Sequence, residues 1–481
     1  MAIFDRPVSA DRQSAGPVAA VAGTDDLAVA TPGTDDPGVA TPGMDGPKMA
    51  TPEEPTWRRL RRALGPGLVT GASDDDPSGI ATYAQAGALF RAGTLWTVIF
   101  CLPLMMAVQE ICDRTALATG QNLGTLARRK YMRAGRGIVM VLLVALLLAN
   151  ALNVAADLMA IGQGMNLLNA GPAPLWSAIA GIGITSLLIT GSFDRIALIF
   201  KVLCLSLLTY VAVLFTAHVD WADVVQGLTA QQLTLSNDYW AIIVAILGTT
   251  LSPYLFFWQS AHRVEELRDE GHTEEIERLE DRTPRARRHK LQEARLDVFS
   301  GMLFSEIVMF AIIVASAATL GAHGDTHISS AADAAKALEP IAGPFATILF
   351  AAGFIGSGLL AVPVLAGSAS SGIAGLLNKE WGFNRSPRKA PVFYGLVGIG
   401  TVGGVVLSQF YSDPIGLLVF SALVNGVAAA PFLIVVMLIS SDRRLMGAER
   451  NGRLAMTFGW AAAAAMTVAG VAGIWQTVTP G

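Results

Sequence analysis

Gly71-Ala-Ser-Asp-Asp-Asp-Pro-Ser-Gly79 sets three consecutive carboxylates and two hydroxyls inside an apolar stretch running from Leu64 to Ala88. A charged aspartate at the centre of a bilayer helix costs about 2.5–3.5 kcal/mol on insertion scales, so three in a row need a compensating role. Pro77 and Gly79 interrupt the helix at that point and free backbone groups that lipid cannot satisfy. Anionic side chains beside unpaired carbonyls suit a cation. A solvated loop between two short helices would also hold three aspartates, but the apolar sequence on both sides argues against it.

A second interruption lies in Gly248-Thr-Thr-Leu-Ser-Pro-Tyr-Leu-Phe-Phe-Trp-Gln259, where Pro253 falls midway along another apolar run. The hydroxyls of Thr249, Thr250 and Ser252 cluster at that break. One proline in a membrane helix usually only kinks it. Two at matching positions of two halves, one of them beside an aspartate, point to the midplane site of a transporter.

Other polar residues lie at membrane depth. Asn150, Asn153 and Asp157 are spaced i, i+3 and i+7 and share one helical face. The asparagines suit interhelical hydrogen bonding, whereas the aspartate among them is the better functional candidate. Glu306 is buried by depth, and Asp157 or Arg388 are the partners considered for it. Gly353, Gly356 and Gly358 are expected to let helices approach closely. His262, His323 and His327 fall near helix ends or in a loop, where surface histidines are the default.

These residues need a membrane scaffold to position them. The chain has 481 residues, of which 52% are hydrophobic and 15% charged, with a mean hydropathy of +0.49. That composition indicates an all-α integral membrane protein. Eleven runs are long enough to span, with approximate limits 64–90, 94–112, 137–166, 174–191, 194–217, 239–262, 296–320, 342–368, 390–410, 413–440 and 453–475. With the N-terminus cytoplasmic and the C-terminus outside, only Arg91 and Lys336 of the 34 Lys and Arg residues fall outside. This segregation is what the positive-inside rule demands, and it places the protein in the plasma or inner membrane.

Residues 1–56 repeat a unit built on Ala-Thr-Pro and rich in Pro, Gly, Thr and Asp, a composition that cannot bury a core and is expected to be disordered. The transporter domain then covers 57–476, with halves at about 64–217 and 239–440. Trp57-Arg-Arg-Leu-Arg-Arg62 is expected to anchor at the interface. The first long apolar run begins after residue 60 without cleavage-type context, so no secretory leader is expected. Residues 264–292 mix both signs and predict a solvated helix laced with i,i+4 pairs. That balance of charge speaks against nucleic-acid binding. Cys101, Cys112 and Cys204 form no CxxC pair and are expected to be packing residues.

Gly65-Pro-Gly-Leu68, Asp76-Pro77 and Gln85-Ala-Gly87, together with Gly248-Thr-Thr-Leu-Ser-Pro253, resemble the NRAMP divalent-metal transporters, which carry DPGN in helix one and MPH in helix six. The resemblance runs from about residue 60 to 475. It implies a LeuT-type fold, in which helices one to five and six to ten are inverted repeats and an eleventh helix is appended. The family's metal-binding aspartate falls on Asp76 and its asparagine on Gly79. The position that contributes a backbone carbonyl falls on Thr249, the methionine on Ser252 and the histidine on Tyr254. An acid of helix three linked to proton movement falls on Asp157, while a second family glutamate falls on Asn150. These departures are closest to a divergent branch that includes magnesium transporters.

Donor chemistry points the same way. Thioether ligands favour softer metals, and carboxylate, hydroxyl, carbonyl and water favour Mg²⁺, Mn²⁺ or Ca²⁺. A roomy site formed by Asp76, with Asp75 beside it, and the oxygens of Thr249 and Ser252 suits an ion that keeps part of its water. The expectation is a secondary transporter of hard divalent cations (Mg²⁺ or Mn²⁺, with Fe²⁺ next), weakly or not proton-coupled, with the metal as cargo and no cofactor. One rival is a LeuT-type symporter of amino acids or other organic solutes, whose substrate carboxylate three aspartates would repel. A membrane enzyme is the other, but the sequence shows no nucleophilic triad, HExxH or phosphate-cradling loop.

Overall fold

In the computed structural model, the residues described are 66–190, 208–215, 219–234, 236–270, 276–321, 331–335, 343, 346–411 and 413–478. The N-terminal repeats, Trp57 to Arg62, Cys204, His323 and His327 lie outside them, as does most of the expected fifth span.

Apolar run length and the two prolines dictate the layout. The first span is divided into α1 (Pro66–Asp74) and α2 (Pro77–Phe90). Helix α3 (Trp96–Thr119) is followed by the short α4 (Leu123–Lys130) and then by the 35-residue α5 (Arg133–Leu167). Next come α6 (Ala173–Thr190), the fragment α7 (Leu208–Val213) and α8 (Trp221–Leu228). The sixth span is broken into α9 (Asn237–Thr250) and α10 (Pro253–Glu270). Helix α11 (Pro284–Ser316) and the fragment α12 (Ala331–Ala335) precede α13 (Ala346–Leu376) and α14 (Pro391–Ser408). The chain closes with α15 (Pro414–Ser440), α16 (Arg443–Met446) and α17 (Arg453–Val478).

Nine stretches among the described residues are long and apolar enough to cross a membrane. The first span is not among them because Asp74, Asp75 and Asp76 fall in every membrane-length window across it. Lipid-facing stripes are visible where the period demands them. On α5, Ile138, Val141, Val144 and Leu148 are exposed at steps of three and four, the spacing of one helical face.

Helices pack closely beside the first break. A β-carbon at Gly71 would stand 2.1 Å from the carbonyl oxygen of Gly301, so α1 and α11 meet backbone to backbone. On α13, a β-carbon at Gly358 would lie 3.1 Å from the Asp157 carbonyl oxygen, consistent with the expected close approach. The most extensive helix pairing is α5 against α13. It is stitched by Asn150, whose amide donates to the Leu365 carbonyl at 2.7 Å and to Ser368 Oγ at 2.9 Å.

The charged segment departs from expectation. Helix α10 carries on to Glu270 and α11 begins at Pro284, with a single 3₁₀ turn at Leu279–Asp281 between them. Its ion pairs run mainly between elements rather than along one helix. Lys290 meets Glu266 at 2.8 Å and also Glu270, Arg282 meets Glu270 at 2.9 Å, and Arg287 meets Glu449 at 2.8 Å. Two membrane helices projecting side by side beyond the apolar layer bring opposite charges together across the gap. Among the described residues of this segment, only His289–Glu293 has the i,i+4 spacing.

Candidate functional site

Asp76 occupies the gap between α1 and α2 and caps α2, with Pro77 in the first helical position where its missing N–H costs nothing. Its Oδ1 accepts from Ser78 Oγ at 2.6 Å and from the Gly79 N–H at 2.8 Å. The dipole of α2 therefore offsets part of the carboxylate's charge. Its Oδ2 has one long partner, the Tyr254 hydroxyl at 3.4 Å. The same phenol donates to the Ser73 carbonyl at 3.1 Å, one of the groups freed at the end of α1. Thus Tyr254, in the first turn of α10, clasps both sides of the α1–α2 break.

The other break is organised by Ser252. Its Oγ donates to the carbonyls of Gly248 at 2.6 Å and Thr249 at 2.9 Å, folding the hydroxyl back on α9. As it stands, Ser252 satisfies freed carbonyls rather than presenting its own oxygen. Thr249 behaves oppositely: its Oγ1 is buried and hydrogen-bonds to nothing among the described residues. A β-carbon at Gly79 would lie 3.1 Å from Thr249 Oγ1 and 3.3 Å from the Asp74 carbonyl oxygen. The two breaks therefore meet where glycine leaves room.

The remaining sequence-selected residues separate into two groups. Asn153 and Asn425 exchange amide hydrogen bonds at 3.0 and 3.3 Å, linking α5 to α15. With Asn150 bonded to α13, both asparagines serve as interhelical ties. Asp157, on the same face, keeps both carboxylate oxygens buried and unbonded, with Asp76 its acidic neighbour. Glu306 stands elsewhere. Neither Asp157 nor Arg388 bonds it among the described residues, and the residue before it, Ser305, is the one that meets Asp74. Asp75 is likewise turned toward α11, where Ser305 Oγ lies 3.2 Å from its Oδ1 and 2.7 Å from Asp74 Oδ2.

Several residues that sequence reasoning missed join the charged end of the same helices. Arg263 is buried and contacts Asp113 Oδ1 at 2.6 Å, Asp297 Oδ2 at 3.0 Å and also Glu266. Gln259 donates to Asp113 Oδ1 at 2.8 Å and accepts from Thr70 Oγ1. The Gly67 N–H donates to Asp297 Oδ2 at 2.8 Å. One polar network therefore ties α1, α3, α10 and α11 together. The available signal was an acid near the end of one apolar run and a base just past the end of another.

No three of the His, Cys, Asp and Glu side chains among the described residues converge as a ready metal cage. What the breaks offer is a mixed set of oxygens: one capped carboxylate with a sparingly used Oδ2, a free hydroxyl and helix-end carbonyls. Such a set suits a hard cation that retains water.

The sequence profile described as "Natural resistance-associated macrophage protein-like" (Nramp) matches residues 67–476. A protein of Ralstonia nicotianae named as the divalent metal cation transporter MntH is 27% identical, covering 88% of this chain and 93% of the relative. The MntH of Mycobacterium tuberculosis is 26% identical, with 86% and 92% covered. Among solved structures, the manganese transporter of Eremococcus coleocola superimposes with a TM-score of 0.65 at 16% identity, covering 88% of both chains. An inward-facing structure of Mhp1 gives 0.51 at 14% identity, covering 86% of this chain and 91% of the other. At these identities the structural likeness speaks for the fold, an all-α LeuT-type architecture. With most of its length matched by the profile, the chain belongs to the Nramp family.

Proposed function

We propose that this protein is a secondary transporter that carries hard divalent metal cations across the cell membrane by alternating access around Asp76. The observation that carries this reading is the meeting of two broken helices at a buried carboxylate with a lightly used oxygen, beside the unbonded hydroxyl of Thr249. The relatives named as divalent metal cation transporters support the substrate class. Among such ions we favour Mg²⁺ or Mn²⁺, with Fe²⁺ next, over Cd²⁺ or Zn²⁺. Gly79 supplies space, Thr249 supplies a free hydroxyl, Ser252 supplies an oxygen only when its hydroxyl turns away from α9, Asp75 adds negative charge near Asp76, and none of these is a soft donor. The inferred topology has the N-terminus in the cytoplasm and the C-terminus outside, with residues 1–56 as a tail separate from the transporter domain at 57–476.

Proton coupling is proposed to be weak or absent. Tyr254, the position that the resemblance matches to the histidine of the family motif, is committed to Ser73 and Asp76, and Asn150 is committed to α13. Only Asp157 is left uncommitted on that face. Uptake by proteoliposomes, with the lumenal pH followed in parallel, tests both statements. Expected are Mg²⁺ and Mn²⁺ entry without matching acidification, abolished in Asp76→Ala. Cd²⁺ outcompeting both at equal concentration would reject the hard-ion preference. Acidification proportional to metal entry would reject the uncoupled mechanism.

A further inference from the structure

A second cluster of oxygens lies behind the first, between the end of α1 and α11. Asp74 and Asp75 are fully buried, and one hydroxyl, Ser305, is all that bonds their side chains, leaving Asp74 Oδ1 and Asp75 Oδ2 without partners. A serine hydroxyl has one hydrogen, so a single proton is shared between the two carboxylates. Glu306, the next residue on α11, has both oxygens buried and unbonded. An independent group points to the same place. The Tyr83 hydroxyl, on α2, is fully buried and has no hydrogen-bond partner among the described residues, and the Tyr83 ring edge and the Asp74 carbonyl oxygen both lie 3.3 Å from where a β-carbon would stand at Gly79.

Charge counting separates this cluster from the site at Asp76. Asp74, Asp75, Asp76, Asp157 and Glu306 are five buried acids, and no Lys, Arg or His among the described residues forms an ion pair with any of them. Were all five ionised, one divalent ion at Asp76 would offset two charges and leave three on the acids around Ser305, to be met either by protons or by a second cation. A group of unpaired buried charges is strongly unfavourable. A monovalent ion leaves more of that charge than a divalent one. We propose that a second divalent cation is held by Asp74, Asp75 and Glu306, with Ser305 and Tyr83 as hydroxyl partners, separately from the cargo ion at Asp76. The three carboxyl groups do not close into a cage. The ion that fits therefore keeps part of its water shell and is held partly through it, the habit of Mg²⁺ and, less strictly, of Mn²⁺.

Equilibrium dialysis of the full chain in detergent against Mn²⁺ alone counts the sites, with the double variant Asp76→Ala/Glu306→Gln as the baseline for surface binding. The expected result is two ions per chain in the wild type, one in Asp76→Ala, and one in each of Glu306→Gln and Asp74→Asn. One ion in the wild type, lost in Asp76→Ala and kept in Glu306→Gln, would overturn the second site and leave the proposed transport function standing. Such a count would also mean that protons neutralise the cluster. Two ions in the wild type and still two in both Glu306→Gln and Asp74→Asn would equally overturn it. No bound ion in the wild type would sink both readings. Glu306→Gln and Asp74→Asn are independent removals of the same site, so either one that folds gives the count that decides.

Discussion

Gly79 and Thr249 face each other across the two helix breaks so closely that a β-carbon on the glycine would lie 3.1 Å from the threonine hydroxyl oxygen. That hydroxyl is buried and unbonded, and a buried polar group without a partner costs about 1–3 kcal/mol. A cation passing through the gap would repay this cost. Thr249→Val keeps the shape and removes the hydroxyl. Its expected effect is split: unchanged or slightly raised thermal stability without metal, and weaker Mn²⁺ or Mg²⁺ uptake, by roughly fivefold in KM for about 1 kcal/mol lost. Thermal unfolding in detergent and uptake kinetics check the two halves. Equal metal affinity in both proteins would remove Thr249 from the ligand set.

Asp76 has two roles that one substitution can separate. Asparagine caps a helix about as well as aspartate, so Asp76→Asn should leave thermal stability within about 1 kcal/mol. It removes the anionic ligand, and metal uptake should fall by at least about tenfold, the factor that about 1.4 kcal/mol represents. Retained uptake with intact folding would mean that Asp76 serves the fold alone.

Tyr254 joins Ser73 and Asp76 through its hydroxyl alone. Tyr254→Phe keeps the ring packed but leaves the Ser73 carbonyl without this donor, a loss of about 1 kcal/mol. Slower metal uptake is expected with little change in metal selectivity, because the phenol holds the Ser73 carbonyl and the Asp76 carboxylate and is not counted among the ligands. A shift in preference toward Cd²⁺ in competition uptake would show that Tyr254 itself contacts the ion.

Arg263 is 3% exposed in its side chain and faces Asp113 and Asp297. Removing one partner of a buried pair costs about 3–5 kcal/mol, because the remaining charge stays buried. Arg263→Ala should therefore lower the unfolding temperature markedly, while Arg263→Lys, which keeps the charge but not the planar fork, should lower it less. An unfolding temperature in Arg263→Ala equal to the wild type would show that water or another cation compensates Asp113.

The sequence alone established that this chain lies in a membrane, where two of its helices break and which aspartate stands at the first break. Each of those statements depends on local chemistry: run length against bilayer thickness, and a proline that can neither donate a hydrogen bond nor fit a helix interior. Near Ser252, reasoning by residue type supplied an oxygen donor, yet the tertiary structure turns that hydroxyl onto its own helix and leaves Thr249 free. The second acidic cluster and the Arg263 network were hidden because Ser305 stands 231 residues from Asp74, and Arg263 stands 150 from Asp113. Which helix faces which, and at what rotation, follows from packing over the whole bundle, and glycines such as Gly71 permit backbone contact with an element more than 200 residues away. No periodicity within one helix encodes that choice.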